Sequence, residues 1–244
     1  MYSDAPRTAI VTGAGKRVGA VIARALLDDG WRVLAHVHHE EDRVPDGADR
    51  VVADLAKADC ADLILGAARR LPPLALLVNN AARFAEDALG ALSLSEFDAH
   101  IAVNLRAPAL LIEAFAREAP AGALVVNLLD AKLAAPNPDF LSYTLSKQGL
   151  AGLTQLAARA LAGKGIRVNA IAPALMLLSG DQGPANFEQS HALNPLGIGV
   201  RPEDVVRALR YLIDAPAVTG ETMTIDGGQH FMQLARDVQF LEEI

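Results

Sequence analysis

The chain has 244 residues, 52% of them apolar and 21% charged, with a formal net charge of −7. That length suits one large domain with a sizeable core, and that composition excludes a disordered chain. The acidic balance, without a dense Lys/Arg cluster, argues against general binding to nucleic acid or an anionic membrane. A single cysteine, Cys60, excludes an internal disulfide framework or thiolate metal site.

Taken in chain order, Thr8–Thr12 is a short β-branched run ending at glycine and is predicted as a buried strand. Helical apolar spacing runs over Val18–Asp29 and stops at Gly30; Trp31–Val37 is the second predicted strand. The alternation continues with strand Arg50–Ala53, a helix near Asp59–Leu71 and strand Leu74–Val78. Ser95, with Asp98 three residues on, is a capping-box variant opening a helix to about Glu118. Strand Ala123–Asn127, helix Leu141–Ala162, strand Arg167–Ile171, helix Pro202–Asp214 and strand Thr222–Ile225 follow. Strands alternating with helices imply α/β architecture: a single-domain, doubly wound, Rossmann-like parallel sheet with helices on both faces.

Residues 174–200 break the rhythm. They are rich in Gly and Pro, too long for an idle connection, and follow a strand end, where open α/β sheets bind ligands. A substrate lid is the expectation, against a surface excursion or oligomer contact. Within it, Met176, Leu177 and Leu178 suit either a pocket lining or lid core.

Between the first strand and helix lies Thr12-Gly13-Ala14-Gly15-Lys16-Arg17-Val18-Gly19. Gly13 allows a tight turn, Gly19 allows close helix–sheet packing, and the helix N-terminus behind them suits a pyrophosphate. The second strand ends His36-Val37-His38-His39-Glu40, where an NAD site would normally carry an acid. With Arg17 nearby, that cationic stretch favours the 2′-phosphate of NADP(H) over NAD(H), although Glu40 and Glu41 oppose it. Asp54 suits the adenine amino group or a helix cap, and Asn79-Asn80-Ala81 sets small and amide groups against the middle of the cofactor.

Asp130 ends an apolar strand, and Tyr143 and Lys147 follow at helical i, i+4 spacing. An ammonium beneath a phenol lowers its pKa from ~10 and suits proton transfer during hydride delivery to a carbonyl or imine. An Asp in place of a hydroxyl suits a substrate with ring nitrogens, because a carboxyl can donate, accept or relay protons. No histidine shows metal-ligand spacing, and no metal is expected. Met1–Arg7 lacks a signal-peptide layout, and no run approaches the ~18 apolar residues of a membrane span. A cytoplasmic enzyme of a small molecule is therefore expected.

Thr12–Gly19, Asn79-Asn80-Ala81, Asn104, Tyr143-Thr-Leu-Ser-Lys147 and Asp226-Gly227-Gly228 together resemble the short-chain dehydrogenase/reductase family across essentially the whole chain. The resemblance implies a seven-stranded sheet, a homotetramer or dimer, Tyr143 as acid–base and Lys147 on the nicotinamide ribose. It implies Asn104 in a water-mediated proton relay. Cofactor contacts are implied from Gly13, Arg17, Val18, His38 and His39, from Asp54, Leu55, Asn80 and Ala81, and from Pro173.

Arg17 stands in place of the usual middle glycine and Asp130 in place of the usual catalytic Ser, and both features resemble the pteridine reductase branch. That likeness implies a heterocycle stacked on Phe84 and contacted by Arg17, Asp130, Tyr143 and Leu175. Ala82 and bulky Arg83 depart from it. The alternatives are an ordinary alcohol or ketone dehydrogenase and a non-catalytic NADP-binding regulator. His230 is a candidate to reach a neighbouring subunit.

Overall fold

In the computed structural model, which describes residues 6–178 and 182–241, seven parallel strands form one sheet in the order β3-β2-β1-β4-β5-β6-β7. The strands are β1 (Thr8–Val11), β2 (Arg32–Val37), β3 (Asp49–Val52), β4 (Leu74–Asn79), β5 (Leu124–Leu128), β6 (Arg167–Pro173) and β7 (Thr222–Ile225). The helices are α1 (Arg17–Asp28), α2 (Cys60–Ala68), α3 (Leu94–Ile101), α4 (Ala107–Glu118), α5 (Leu141–Leu161), α6 (Pro184–His191) and α7 (Pro202–Asp214). The order reverses between β1 and β4, which opens a crevice at the carboxyl ends of those strands.

Strand residues alternate between two apolar layers, as a sheet covered on both faces requires. Ile10, Leu34, Leu77 and Val125 face α2, α4 and α5, where Ile64, Leu111, Phe115 and Ala157 complete one core. Their neighbours Val11, Val33, Val78 and Val126 face Ile22, Leu26, Val205 and Leu209 of α1 and α7. A buried polar ladder crosses the centre. Asn79 pairs in register with Asn127 and donates its amide to Asn127 Oδ1 at 2.8 Å, and Asn127 donates to Thr154 Oγ1 at 2.9 Å.

Two features of the helix predicted after β4 change. The helix after β4 begins at Leu94, capped by Ser93, whose Oγ accepts from Glu96 N at 3.4 Å; the cap is therefore Ser93 and not Ser95. A π-helical turn over Ala102–Arg106 then separates α3 from α4. The combined run Leu94–Glu118 has the length and mean hydropathy (1.2) of a membrane span, but its apolar face belongs to the protein core.

In the expected lid, residues 182–200 are less irregular than the composition implied. Gly183-Pro184, which looked like a break, opens α6 instead, because proline at the first helical position gives up no hydrogen bond. Residues 179–181 of that segment, including Gly180, lie outside the described residues, as does most of Met1–Arg7.

Candidate active site

The dinucleotide end is built from backbone brought close together. A side chain at Gly19 would run into the Gly13 carbonyl, and a Cβ at Gly15 would lie 2.9 Å from Arg43 O. Asn80 pins the turn, its amide donating to Thr12 O at 2.8 Å and Gly13 O at 3.3 Å. Thr12 Oγ1 accepts from the N–H groups of Asn80 and Ala81, both at 3.0 Å.

Lys16 supplies no side-chain cap to α1, and its first turn holds no acid, so its N-terminal N–H groups face the crevice open to an anion. Arg17 keeps the left-handed backbone (φ 54°) that a glycine would adopt freely there. The cradle fits a dinucleotide pyrophosphate.

His36 differs from the cationic group expected. It is buried, its Nδ1 accepting from Gly13 N at 3.2 Å while its Nε2 lies 3.0 Å from Ala53 O. Nδ1 as acceptor leaves Nε2 as the donor and fixes a neutral tautomer. Burial pushes its pKa down, outweighing the Ala53 carbonyl. The exposed basic side chains along this end of the cavity are thus His38, His39, Lys16 and Arg17.

Glu40 is held by Arg50 at 3.2 Å, which offsets one of the two expected repulsions. A carboxylate not anticipated, Asp42, lines the same cavity and accepts from His39 N at 3.0 Å. Asp54 also lines it, with Oδ1 accepting from Ala56 N at 2.9 Å as an Asx turn; the cap position of α2 belongs to Asp59.

One cavity of about 680 Å³ runs from these residues to the other end of the site. Gly13, Arg17, Val18, His38, His39, Asp54, Leu55, Asn80, Ala81 and Pro173 line it at the cofactor end. Phe84, Asp130, Tyr143, Lys147 and Leu175 line it at the other. Asn104 is off the wall, as are Asn79, buried in the polar ladder of the sheet, and Leu178. Asn104 is fully buried: Oδ1 accepts from Arg83 N at 2.7 Å, and Nδ2 donates to Arg83 O and Ser146 Oγ, both at 2.9 Å. Its side chain therefore fixes the loop after β4.

At the reacting end, Tyr143 Oη donates to Asp130 Oδ2 at 2.9 Å. Lys147 Nζ donates to Leu128 O at 2.6 Å and lies 5.7 Å from the Tyr143 ring centroid. The electrostatics reverse the expected lowering of the phenol. Burial, then the charge of Asp130, raises the Tyr143 pKa well above 10, so its proton is firmly held. Burial lowers Lys147 to about 8 and raises Asp130, whose hydrogen bonds from Lys132 N and Tyr143 act the other way. In this arrangement the proton rests on Tyr143, shared in a hydrogen bond with Asp130.

Long-range packing positions this end. Phe140 has a left-handed backbone (φ 54°) at the start of α5. Phe84 stacks on the Phe140 ring at 4.4 Å and meets the Tyr143 ring edge-on at 4.8 Å. The first turn of α5 is capped from outside, with Asp87 accepting from both Ser142 N and Ser142 Oγ.

Arg17 reaches across the cavity mouth, donating to Leu178 O at 2.7 Å and Leu177 O at 3.4 Å. Sequence reasoning missed most of the C-terminal wall: Gln229, Leu234, Asp237 and Gln239 line the cavity beside His230. His230, held by Asp226 at 2.6 Å, lies on this chain's own cavity wall. No periodic pattern marks these residues; only the Asp226-Gly227-Gly228 turn hinted at them.

A dinucleotide cradle beside a buried Tyr–Lys pair and a carboxyl defines an oxidoreductase that uses a nicotinamide cofactor. A family profile of the short-chain dehydrogenase type, described as enoyl-(acyl carrier protein) reductase, matches residues 13–230. 3β-Hydroxysteroid dehydrogenase 1 of Eggerthella lenta is 32% identical over 93% of this chain and 95% of its own length. The 3-oxoacyl-(acyl-carrier-protein) reductase FabG of Rickettsia prowazekii is 31% identical over 91% and 96%. The crystal structure of FolM alternative dihydrofolate reductase 1 from Brucella canis, complexed with NADP, is 38% identical with a TM-score of 0.86. It covers 92% of this chain and is itself covered over 94%. The chain belongs to the short-chain dehydrogenase/reductase family.

Proposed function

We propose that the chain is an NADP(H)-dependent reductase of a pterin-like heterocycle, acting on a C=N bond. The observation that carries this reading is the 2.9 Å hydrogen bond from Tyr143 Oη to a carboxyl, Asp130, on the wall of the same cavity. A hydroxyl suffices to bind a ketone oxygen. A carboxyl that takes up and releases a proton matches a ring nitrogen, which must be protonated as the adjacent carbon is reduced. The likeness to the NADP-bound alternative dihydrofolate reductase supports the same choice.

The bound nicotinamide supplies the hydride. Tyr143 holds the proton at Oη, and a substrate nitrogen arriving there competes with Asp130 Oδ2 for it. Asp130 is placed to return a proton to Tyr143. Lys147, fixed on the Leu128 carbonyl, would hold the cofactor ribose through its remaining N–H groups. Phe84, 38% exposed, offers a ring face to a flat substrate. Asn104 keeps the loop after β4 in place and is read as supporting the proton relay through its backbone. Residues 174–200 are read as the lid, with Leu175 on the substrate. A cytoplasmic homo-oligomer, dimer or tetramer, completes the reading; the exposed Leu89, Leu94 and Leu156 support a covered surface.

The test is turnover of dihydropterin, quinonoid dihydropterin and dihydrofolate with NADPH and with NADH, beside a panel of ketones. Pterin turnover with NADPH preferred is the expected result. Binding of NADPH with reduction of ketones alone would overturn the substrate assignment, and a preference for NADH would overturn the cofactor assignment.

A further inference from the structure

The wall largely missed by sequence reasoning brings a second carboxylate to the reacting end. Asp237 and Lys132 line the same cavity as Asp130 and Tyr143. Lys132 Nζ donates to Asp237 Oδ2 at 3.1 Å and to Asp139 O at 2.7 Å, and Asp237 Oδ1 accepts from Gln239 N at 3.2 Å. Their side chains are only 8% and 14% exposed. An ion pair so far removed from water contributes little net stability, because desolvation offsets the attraction.

The C-terminal segment is held by more than the Asp237 carboxylate, which caps the turn over Val238–Phe240. Asp139 accepts from Arg236 Nε at 2.9 Å and from the Asp237 backbone N–H at 2.7 Å. Ser190 Oγ donates to Val238 O at 2.8 Å, and the Phe240 ring stacks 5.4 Å from that of Phe140. The segment is anchored on both sides of Asp237 by other groups, and the carboxylate's remaining lone-pair sites are open to a ligand.

We propose that Asp237, positioned by Lys132, selects the substrate by reading an edge with two adjacent N–H donors followed by an acceptor. That is the edge a 2-amino-4-oxo heterocycle presents. An ionised carboxylate has about four lone-pair sites and an ammonium three N–H groups. Two of each are used within the protein, so the pair offers two acceptors and then a donor to the cavity. The charge of Asp237 is also felt at both Asp130 and Tyr143, raising their pKa values, which agrees with its place beside the reacting atoms.

This inference rests on the pterin-type reading and names the substrate edge that the site recognises. The experiment compares a dihydropterin with its analogue lacking the 2-amino group, on the wild type, Asp237→Asn and Arg236→Ala. A site built around a hydrogen-bonding group rejects analogues that lack it strongly, so the edit is expected to cost the wild type about 30-fold or more in kcat/KM. In Asp237→Asn that penalty should shrink below about threefold, whereas Arg236→Ala, which loosens only the anchor, keeps it.

An unchanged penalty in Asp237→Asn overturns the inference, as does an equal shrinkage in Arg236→Ala. If the wild type reduces neither compound, the reading as a pterin reductase falls separately. The same comparison is then made on dissociation constants with NADP+-loaded enzyme. Wild-type discrimination lost in Asp237→Asn upholds the recognition role, and no discrimination or no binding by the wild type overturns it.

Discussion

The two ends of the cavity are built by opposite means. At the cofactor end, neutral groups close together in space tie backbone to backbone: Asn80 to Thr12 and Gly13, and His36 between Gly13 and Ala53. At the reacting end, charged and aromatic side chains are instead packed against one another. Lys132 meets Asp237 across 105 positions, and Ser142 meets Asp87 across 55. A cofactor common to many enzymes needs a rigid, nearly fixed cradle, whereas a particular substrate needs charges whose pKa values the surroundings can move.

The largest effect expected from breaking this contrast comes from Tyr143→Phe. It removes the phenol proton at the reacting end and should lower kcat/KM by about 10³, with little change in NADPH affinity. A loss under tenfold would move the proton-donor role to Asp130.

Next comes Lys147, whose pKa lies at about 8 in the folded protein against an ordinary 10.5. Between those values the unfolded chain binds the extra proton, so stability should rise with pH through that window, by up to roughly 3 kcal/mol. Denaturant titrations at several pH values check this: the rise should be missing in Lys147→Met. A parallel rise in both proteins would assign it elsewhere.

His36 tests the cofactor end. Its pKa is held below 6.5 by burial, so the unfolded state takes up a proton first as the solution is acidified, and stability falls below that pH. His36→Leu should be destabilised by about 2 kcal/mol at neutral pH, since Gly13 N–H and Ala53 C=O lose a partner. Its melting temperature should then be less sensitive to acid than that of the wild type. The smallest change is expected for Arg17→Gly. Relief of the left-handed backbone is worth about 1 kcal/mol, while loss of the guanidinium should weaken NADPH binding severalfold at low salt. Unchanged NADPH affinity would confine Arg17 to holding the Leu177 and Leu178 carbonyls.

The contrast also explains what was legible in the sequence. Alternating strands and helices, the glycine turn and the Tyr143–Lys147 spacing are local patterns, and each stands where they placed it. Asp130 lies two residues beyond β5, within reach of Tyr143. The identity of its neighbours was legible but their electrostatics were not. Lys147 four residues from Tyr143 suggested an acidified phenol, yet burial and Asp130 act more strongly. His36 looked like one of a cationic run, because strand alternation alone does not say that its ring ends between two backbone groups. Asp237 carries no sequence signal, and His230 only that of the preceding glycine turn, since their place on the cavity depends on how the chain returns across α5 and the turn after β5.

The Asn79–Asn127–Thr154 ladder has a consequence for how such a chain can drift. Its two amides sit at the same level of β4 and β5, and Asn79 Oδ1 has no hydrogen-bond partner among the described residues. Changing one member to an apolar residue strands the polar atoms of the next. Changing all of them together, to apolar groups of similar shape, leaves nothing stranded and is nearly neutral. The middle of the sheet is thus a position where single steps are blocked and only concerted ones are open. The two halves of the cavity, whose floors rest on these adjacent strands, inherit that linkage.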